Sequence, residues 1–243
     1  MKPFTFEIET DVIQRFPRVS VGSFVVTGLE QAAAALHDAA KVAEQVRNEL
    51  VAKGISIQNL AVDVRVAGWR QAIATCGLKA STYKSSPEQL GRRYLKGDTI
   101  STPLPVVNAY CAVSSRHLAP MAGYDLDRFP NPQLALRMGR PGSDAFHPLG
   151  GRADDMPITP EVVVYASGSV VVCWAFNHRD SQDTCLTADT RDAVFFAEAV
   201  TAVQQEAMNA ALSELAGLLR EGGADVGPMV IADATSPSFT LCK

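Results

Sequence analysis

The sequence predicts a mixed α and β fold, and three stretches carry that prediction. Residues 19–28, VSVGSFVVTG, alternate and are rich in β-branched side chains, which suits a strand of a pleated sheet. Residues 29–54 place Leu29, Leu36, Ala43, Val46 and Leu50 on one stripe, the spacing of a helix resting on a core. Residues 161–176, EVVVYASGSVVVCWAF, set two β-branched runs on either side of the short turn ASGS and read as a hairpin.

The remaining elements follow from local signals. Thr27 and Glu30 form a capping box ahead of the first helix, and Gly54 ends it. Residues 60–77, LAVDVRVAGWRQAIATCG, suit a strand or a helix equally, although Arg65, Arg70 and Gln71 exclude uniform burial. In residues 85–97, SSPEQLGRRYLKG, Ser86 is an N-cap, Pro87 takes the first helical position, Glu88 complements the dipole and Gly97 is the stop. Residues 98–160 are rich in Pro and Gly between apolar runs such as PLPVVNAYCAV and LALRM, which predicts a compact set of short strands and connections. Between Thr190 and Gly222 the pattern supports one long helix or a strand, AVFFAEAV, with the helix starting near Thr201. The tail MVIADATSPSFTLCK ends in a short strand, and there is no internal repeat or low-complexity tract.

Composition narrows the class. With 47% hydrophobic and 20% charged residues over 243 positions, the chain can bury a substantial core, and disorder is excluded on composition. The opening MKPFTFEIET carries acids where a signal peptide needs an apolar run, and no stretch approaches the roughly 18 apolar residues of a membrane helix. We therefore expect a soluble cytoplasmic protein with no membrane partner. The cysteines, Cys76, Cys111, Cys173, Cys185 and Cys242, are scattered and odd in number, which argues against a disulfide framework or a zinc site. His37, His117, His147 and His178 form no short ligand cluster, so no metal and no cofactor are expected. There is no G-x-S-x-G elbow, no Walker loop and no G-x-G-x-x-G. Cys111 lies six residues before His117, but a buried, inert thiol is the favoured reading.

Two stretches concentrate polar chemistry. The chain has a formal net charge of −4, yet from Lys79 to Gly97 the cations Lys79, Lys84, Arg92, Arg93 and Lys96 stand against Glu88 alone. Such a patch attracts phosphates by releasing counterions, and Ser85, Ser86 and a helix N-terminus can add hydrogen bonds. A solvated helix face is the plain alternative. Residues 173–184, CWAFNHRDSQDT, run from an apolar strand into Asn177, His178, Arg179, Asp180, Ser181, Asp183 and Thr184. A strand end is a rigid platform for several polar groups, whereas a solvated turn with an Arg/Asp pair is the bland reading. His178 alone among them naturally titrates near neutrality. Glu161, at a strand start, reads more readily as a solvated acid than as a general base.

The ordered segments WR, SSPEQLGRRYLKG, VVNAYCAVSSRHLAPMAGYDLD, LALRMG, FHPLGG, EVVVYA and CWAFNHRDSQDTCLTADTRDAVFF resemble the B3/B4 domain of the phenylalanyl-tRNA synthetase beta subunit. The resemblance is closer to free-standing bacterial proteins built from that domain alone, and it runs from about Arg65 to Val200 within what we take as a single domain of 243 residues. It implies an α+β fold with a curved, largely antiparallel sheet core and packed helices, and it favours AVFFAEAV as a strand. It also implies a trans-editing hydrolase that deacylates mischarged aminoacyl-tRNA, with tRNA as partner, no DNA, and a synthetase partner left unnamed.

On that resemblance Lys79, Lys84, Ser85, Ser86, Arg92, Arg93 and Lys96 are candidates for holding the acceptor stem. His178, Asn108 and Ser114 are candidates for catalysis, and Cys111, Ala122, Arg137, Glu161, Arg179 and Asp180 for contact with the aminoacyl group. The synthetase form carries an asparagine and a histidine where this chain has Cys111 and Ala122, so the tyrosine preference does not carry over. Stand-alone relatives usually have aspartate where Asn108 falls and asparagine where Cys111 falls. A pocket less polar than the synthetase's is expected. A non-catalytic module that binds RNA or aminoacyl-tRNA is the alternative function.

Overall fold

A computed structural model describes residues 3–32, 36 and 39–242. In chain order the elements are β1 (Phe4–Ile8), α1 (Thr10–Arg15), β2 (Ser20–Thr27), α2 (Leu29–Ala32), α3 (Ala39–Ala52), α4 (Val64–Thr75), α5 (Ser86–Lys96), α6 (Pro105–His117), β3 (Met121–Asp125) and β4 (Gln133–Met138). They continue with β5 (Val163–Ser167), β6 (Val170–Trp174), β7 (Arg179–Asp180), β8 (Ala193–Ala199), α7 (Ala202–Glu221), β9 (Asp225–Val226), β10 (Val230–Asp233) and β11 (Ser238–Leu241). The fold class is α+β, as the sequence predicts.

Two sheets pack face to face. One runs β11-β1-β4-β5-β6-β7, antiparallel except where β1 lies parallel to β4, and the other runs β10-β2-β8-β3 with β9 also paired to β2. The first and last strands, β1 and β11, pair with each other at one side of the first sheet. Successive strand residues point to opposite faces, and this period sorts the side chains. On β8, Val194 and Phe196 join Phe6, Leu136, Tyr165 and Val172 between the sheets, while Phe195, Ala197 and Ala199 face Met208, Leu212 and Leu215 of α7. Both faces of β2 and β8 are covered, which is why these strands read as nearly continuous apolar runs. Gly22 is required at one point of that packing, because a Cβ there would lie 2.4 Å from Leu212 Cδ1.

Helices α3, α5 and α6 form a second layer around Val46, Leu50, Tyr94, Leu95 and Ala112. Several boundaries differ from the sequence reading. Residues 64–75 form a helix, its choice fixed by Asp63, whose carboxylate accepts the Arg65 N–H as an N-cap. Residues 105–117, expected among short strands, form α6, since Pro105 suits the first turn and Val106, Ala109 and Val113 bury one face. Asn108 and Ser114 therefore lie on a helix and not in the sheet interior. The cap of α5 is Ser85, one residue before the expected Ser86, and Gly97 ends the helix at φ 87°. Thr27 is the last residue of β2, the chain turns at Gly28 (φ +67°), and Glu30 faces Arg191 at 3.0 Å in place of closing a capping box. The middle of the helix expected over 29–54, with His37, lies outside the described residues apart from Leu36 at a bend. Among the described residues no helix is long and apolar enough to cross a membrane.

Arg137 serves this architecture. Its guanidinium forms a two-pronged pair with Asp144, at 2.7 and 2.8 Å, and also donates to the carbonyls of Met138 and Gly168. Both side chains are buried, 2% and 1% exposed, so removing one partner leaves an uncompensated charge. Asp144→Ala should lower the unfolding free energy by ~3–5 kcal/mol in urea denaturation, and Asp144→Asn by less.

Candidate functional site

Residues of both sheets line a narrow cleft between them. Strand alternation supplies its inner wall: Ala122 and Tyr124 from β3, Tyr165 from β5, Cys173 from β6, and Phe196 and Glu198 from β8 share the face that looks across the sandwich. Ser86, at the start of α5, forms part of the rim.

Between β6 and β7 the chain turns through Ala175 (φ 52°) and Phe176 (φ 59°), two consecutive non-glycine residues in the left-handed region. Each costs roughly 1–2 kcal/mol over ordinary backbone. Burial of Phe176 against Phe16 and Trp69, with ring centroids at 5.0 and 5.4 Å, holds the turn in place. The turn aims Asn177 into the cleft and returns Asp180 to pair with β6.

A hydrogen-bond chain crosses the site. The Ser86 N–H donates to Asn177 Oδ1 (3.0 Å), Asn177 Nδ2 donates to Glu198 Oε1 (2.6 Å), and the Tyr165 hydroxyl donates to Glu198 Oε2 (2.5 Å). Glu198 is 4% exposed. Burial pushes its carboxyl up to about 7, the Asp180 charge adds to the rise, and the bonds from Tyr165 and Asn177 hold it down. Asp180 Oδ1 accepts from the Tyr124 hydroxyl at 2.8 Å and its carboxyl also accepts from the Cys173 thiol. Burial raises Asp180, with Tyr124, Cys173 and the Arg179 charge acting against it. Burial likewise holds both tyrosines and Cys173 well above their ordinary values, so all three remain protonated donors. The Ser86 hydroxyl is buried with no hydrogen-bond partner.

The expected site residues divide. Ala122, Asp180 and Ser86 line the cleft. His178 sits beside it, its Nδ1 donating to the Lys84 carbonyl at 2.8 Å and its ring against Tyr83 and Trp174, and burial keeps it neutral by lowering its pKa. Arg179 donates to the Leu149 carbonyl at 3.4 Å, and Glu161 is exposed. Asn108 spends both ends of its amide on the Thr102 backbone (2.8 and 3.0 Å), and the Ser114 hydroxyl donates to the Ala119 carbonyl (2.7 Å). Cys111 is packed with α3 and α5, its thiol pushed by burial up to about 12. None of Asn108, Ser114, Cys111 and Arg137 lines the cleft.

The basic stretch also divides. Glu88 is fully buried and holds Arg70 (2.9 Å) and Arg92 (3.1 Å), so this acid is an internal counterion. Lys79, Arg93 and Lys96 are exposed, Lys84 is half-buried, and Ser85 is fully buried at the helix cap. Ser86 opens α5 and lines the cleft, while Arg93 and Lys96 lie in the last turn of the same helix, roughly 10–15 Å further along its axis. Outside the site, His117 pairs with Glu214 (2.6 Å) and His147 with Asp183 (2.8 Å). Among the described residues no group of His, Cys, Asp and Glu is arranged to hold a metal ion.

Glu198, Tyr165, Tyr124 and Cys173 are site residues that the sequence pattern does not single out. One signal for Glu198 is present: a lone acid in the apolar run AVFFAEAV needs a partner once that run is a buried strand. The model of the B3/4 domain family matches residues 68–231 of the chain. No curated protein matches it.

The raised pKa of Glu198 has a measurable effect on stability. Between the ordinary glutamate range and pH ~7 the folded protein keeps a proton that the unfolded chain has shed, so this group's contribution to stability falls as pH rises. Relative to Glu198→Gln, the wild type should lose up to about 3 kcal/mol between ~pH 5 and ~pH 8, read by urea denaturation of both proteins.

Proposed function

The chain belongs to the B3/4 domain family, and on that premise we propose that it is a trans-editing hydrolase that deacylates mischarged aminoacyl-tRNA. One observation carries the reading: a hydrogen-bond chain from the first N–H of the basic helix α5, through Asn177, to a buried glutamate that titrates near neutrality. A general base is most effective when its pKa lies close to the working pH, and Glu198 meets that condition. Such a site answers a physical need. A methylene or hydroxyl in an apolar pocket separates amino acids by only ~1–3 kcal/mol, so charging errors call for a second sieve.

In this reading the exposed cations Lys79, Arg93 and Lys96 hold acceptor-end phosphates, and the aminoacyl ester enters the cleft past Ser86. Glu198 takes a proton from water as the water oxygen forms a bond to the ester carbonyl carbon. The unpartnered Ser86 hydroxyl donates to the developing oxyanion. Collapse of the tetrahedral intermediate breaks the bond to the ribose oxygen, which receives the proton from Glu198, and free amino acid and uncharged tRNA leave. Met121, Ala122 and Phe196 supply the apolar wall that sizes the side chain.

The test is the release of amino acid from a panel of correctly and incorrectly charged tRNAs. Release should be confined to one or a few mischarged species, and Glu198→Gln should slow it by at least ~100-fold. RNA binding without release from any species would move the reading to a non-catalytic binding module. The internal bonds of Asn108 and Ser114, two groups expected to act in catalysis, favour that second reading.

The basic face has a separate test. The double variant Arg93→Ala, Lys96→Ala leaves the Glu88 pairs intact, and should weaken tRNA binding and reduce the slope of affinity against salt by about one to two counterions. An unchanged slope in filter binding across a salt titration would remove these residues from the RNA contact.

A further inference from the structure

The residues lining the cleft include two carboxylates, Asp180 and Glu198, and no lysine or arginine. Around the cleft, Tyr124 from β3, Tyr165 from β5 and Cys173 from β6 face these acids as neutral donors. Arg179 of β7 acts on Asp180 through space while its guanidinium is bonded to the Leu149 carbonyl. An ionised carboxylate offers about four lone-pair positions, and the bonds from Tyr124 and Cys173 leave Asp180 with acceptor capacity. Enclosed acids without a cation among the lining side chains are costly to ionise, and a cationic guest would relieve that cost.

We propose that Asp180 receives the α-ammonium of the aminoacyl group, so that the cleft takes esters of free amino acids and rejects those whose amine is blocked. This inference rests on the editing reading for its substrate, since an aminoacyl ester carries its ammonium one carbon from the carbonyl that is attacked. It divides the labour between the two acids: Asp180 binds and Glu198 accepts the proton.

The division has a consequence for the base. The negative charge of Asp180 is one cause of the raised value of Glu198. An ammonium docked on Asp180 cancels that charge, so Glu198 ionises as the substrate arrives. The proton-accepting carboxylate form of Glu198 is then least populated in the empty cleft and more populated once an amine is in place.

Calorimetry on the full-length protein tests this without tRNA. The probes are the amides of L-alanine, L-serine and L-phenylalanine, each with its N-acetyl counterpart as a neutral control, titrated near neutral pH in two buffers of different protonation heat. The expected result is that at least one free amide binds at least ~10-fold more tightly than its acetylated form and releases a fraction of a proton. Glu198→Gln should keep the binding and lose the proton release, and Asp180→Asn should lose the binding. Equal binding of blocked and free amides overturns the proposal, as does no binding of any free amide up to ~10 mM. Since the two ligand series are compared on wild-type protein, the outcome does not depend on whether either variant folds. Amide binding as expected, with no release from any charged tRNA, would uphold the ammonium site and sink the hydrolase. Equal hydrolysis of N-acetylated and free aminoacyl-tRNA would do the reverse.

Discussion

The face-to-face packing of the two sheets is the constraint on which the rest of this structure depends. Phe6, Tyr165 and Phe196 meet across the interface with ring centroids 5.5 to 6.2 Å apart. Once that register is set, strand alternation decides which other residues point inward. Glu198 lies two positions after Phe196 on the same face, so the packing that buries the aromatic rings also carries a carboxylate out of water. The tyrosines that satisfy the acids belong to the same aromatic cluster. Site and core are therefore one set of residues, and the unusual acidity of Glu198 is a product of its place between the sheets.

The strained turn at Ala175 and Phe176 belongs to this logic. Backbone in the left-handed region persists without glycine only where surrounding contacts over-determine it. Here the contacts come from Phe16 and Trp69, residues far away in sequence. The turn places Asn177 between α5 and Glu198 and so joins the helix layer to the sheet interior. Long-range packing thus supports a local geometry with a direct bearing on the site.

Local signals in the sequence carry much of the fold. The strand at Ser20–Thr27, the hairpin of β5 and β6 and the helix over Ser86–Lys96 rest on period, β-branching or capping, each of which acts within a few residues, whereas the change from strand to helix near Thr201 is left open by periodicity and is favoured only by the family resemblance. Residues 105–117 read as short strands because Pro at their start and the surrounding Pro and Gly resemble a loop, while the helix depends on contacts with α3, α5 and α7. The site is legible only in part. Asp180, Ala122 and Ser86 stand in recognisable segments, whereas Glu198 and Tyr165 sit in apolar runs and are brought together by register across two different sheets. The polar candidates Asn108 and Ser114 are plausible by residue type, and their local backbone bonds depend on the turns of a helix that the pattern does not reveal.

The buried Glu88 clamp bears on how the molecule meets a polyanion. Arg70 and Arg92 are gripped by one carboxylate beneath the surface of α5. Long guanidinium side chains ordinarily surrender rotational freedom when they dock, and that loss weakens association. In this protein the loss is incurred during folding. A polyanion approaching this face would meet Arg70 and Arg92 already fixed and paired, and the ordering cost of contact would fall on the exposed Arg93 and Lys96.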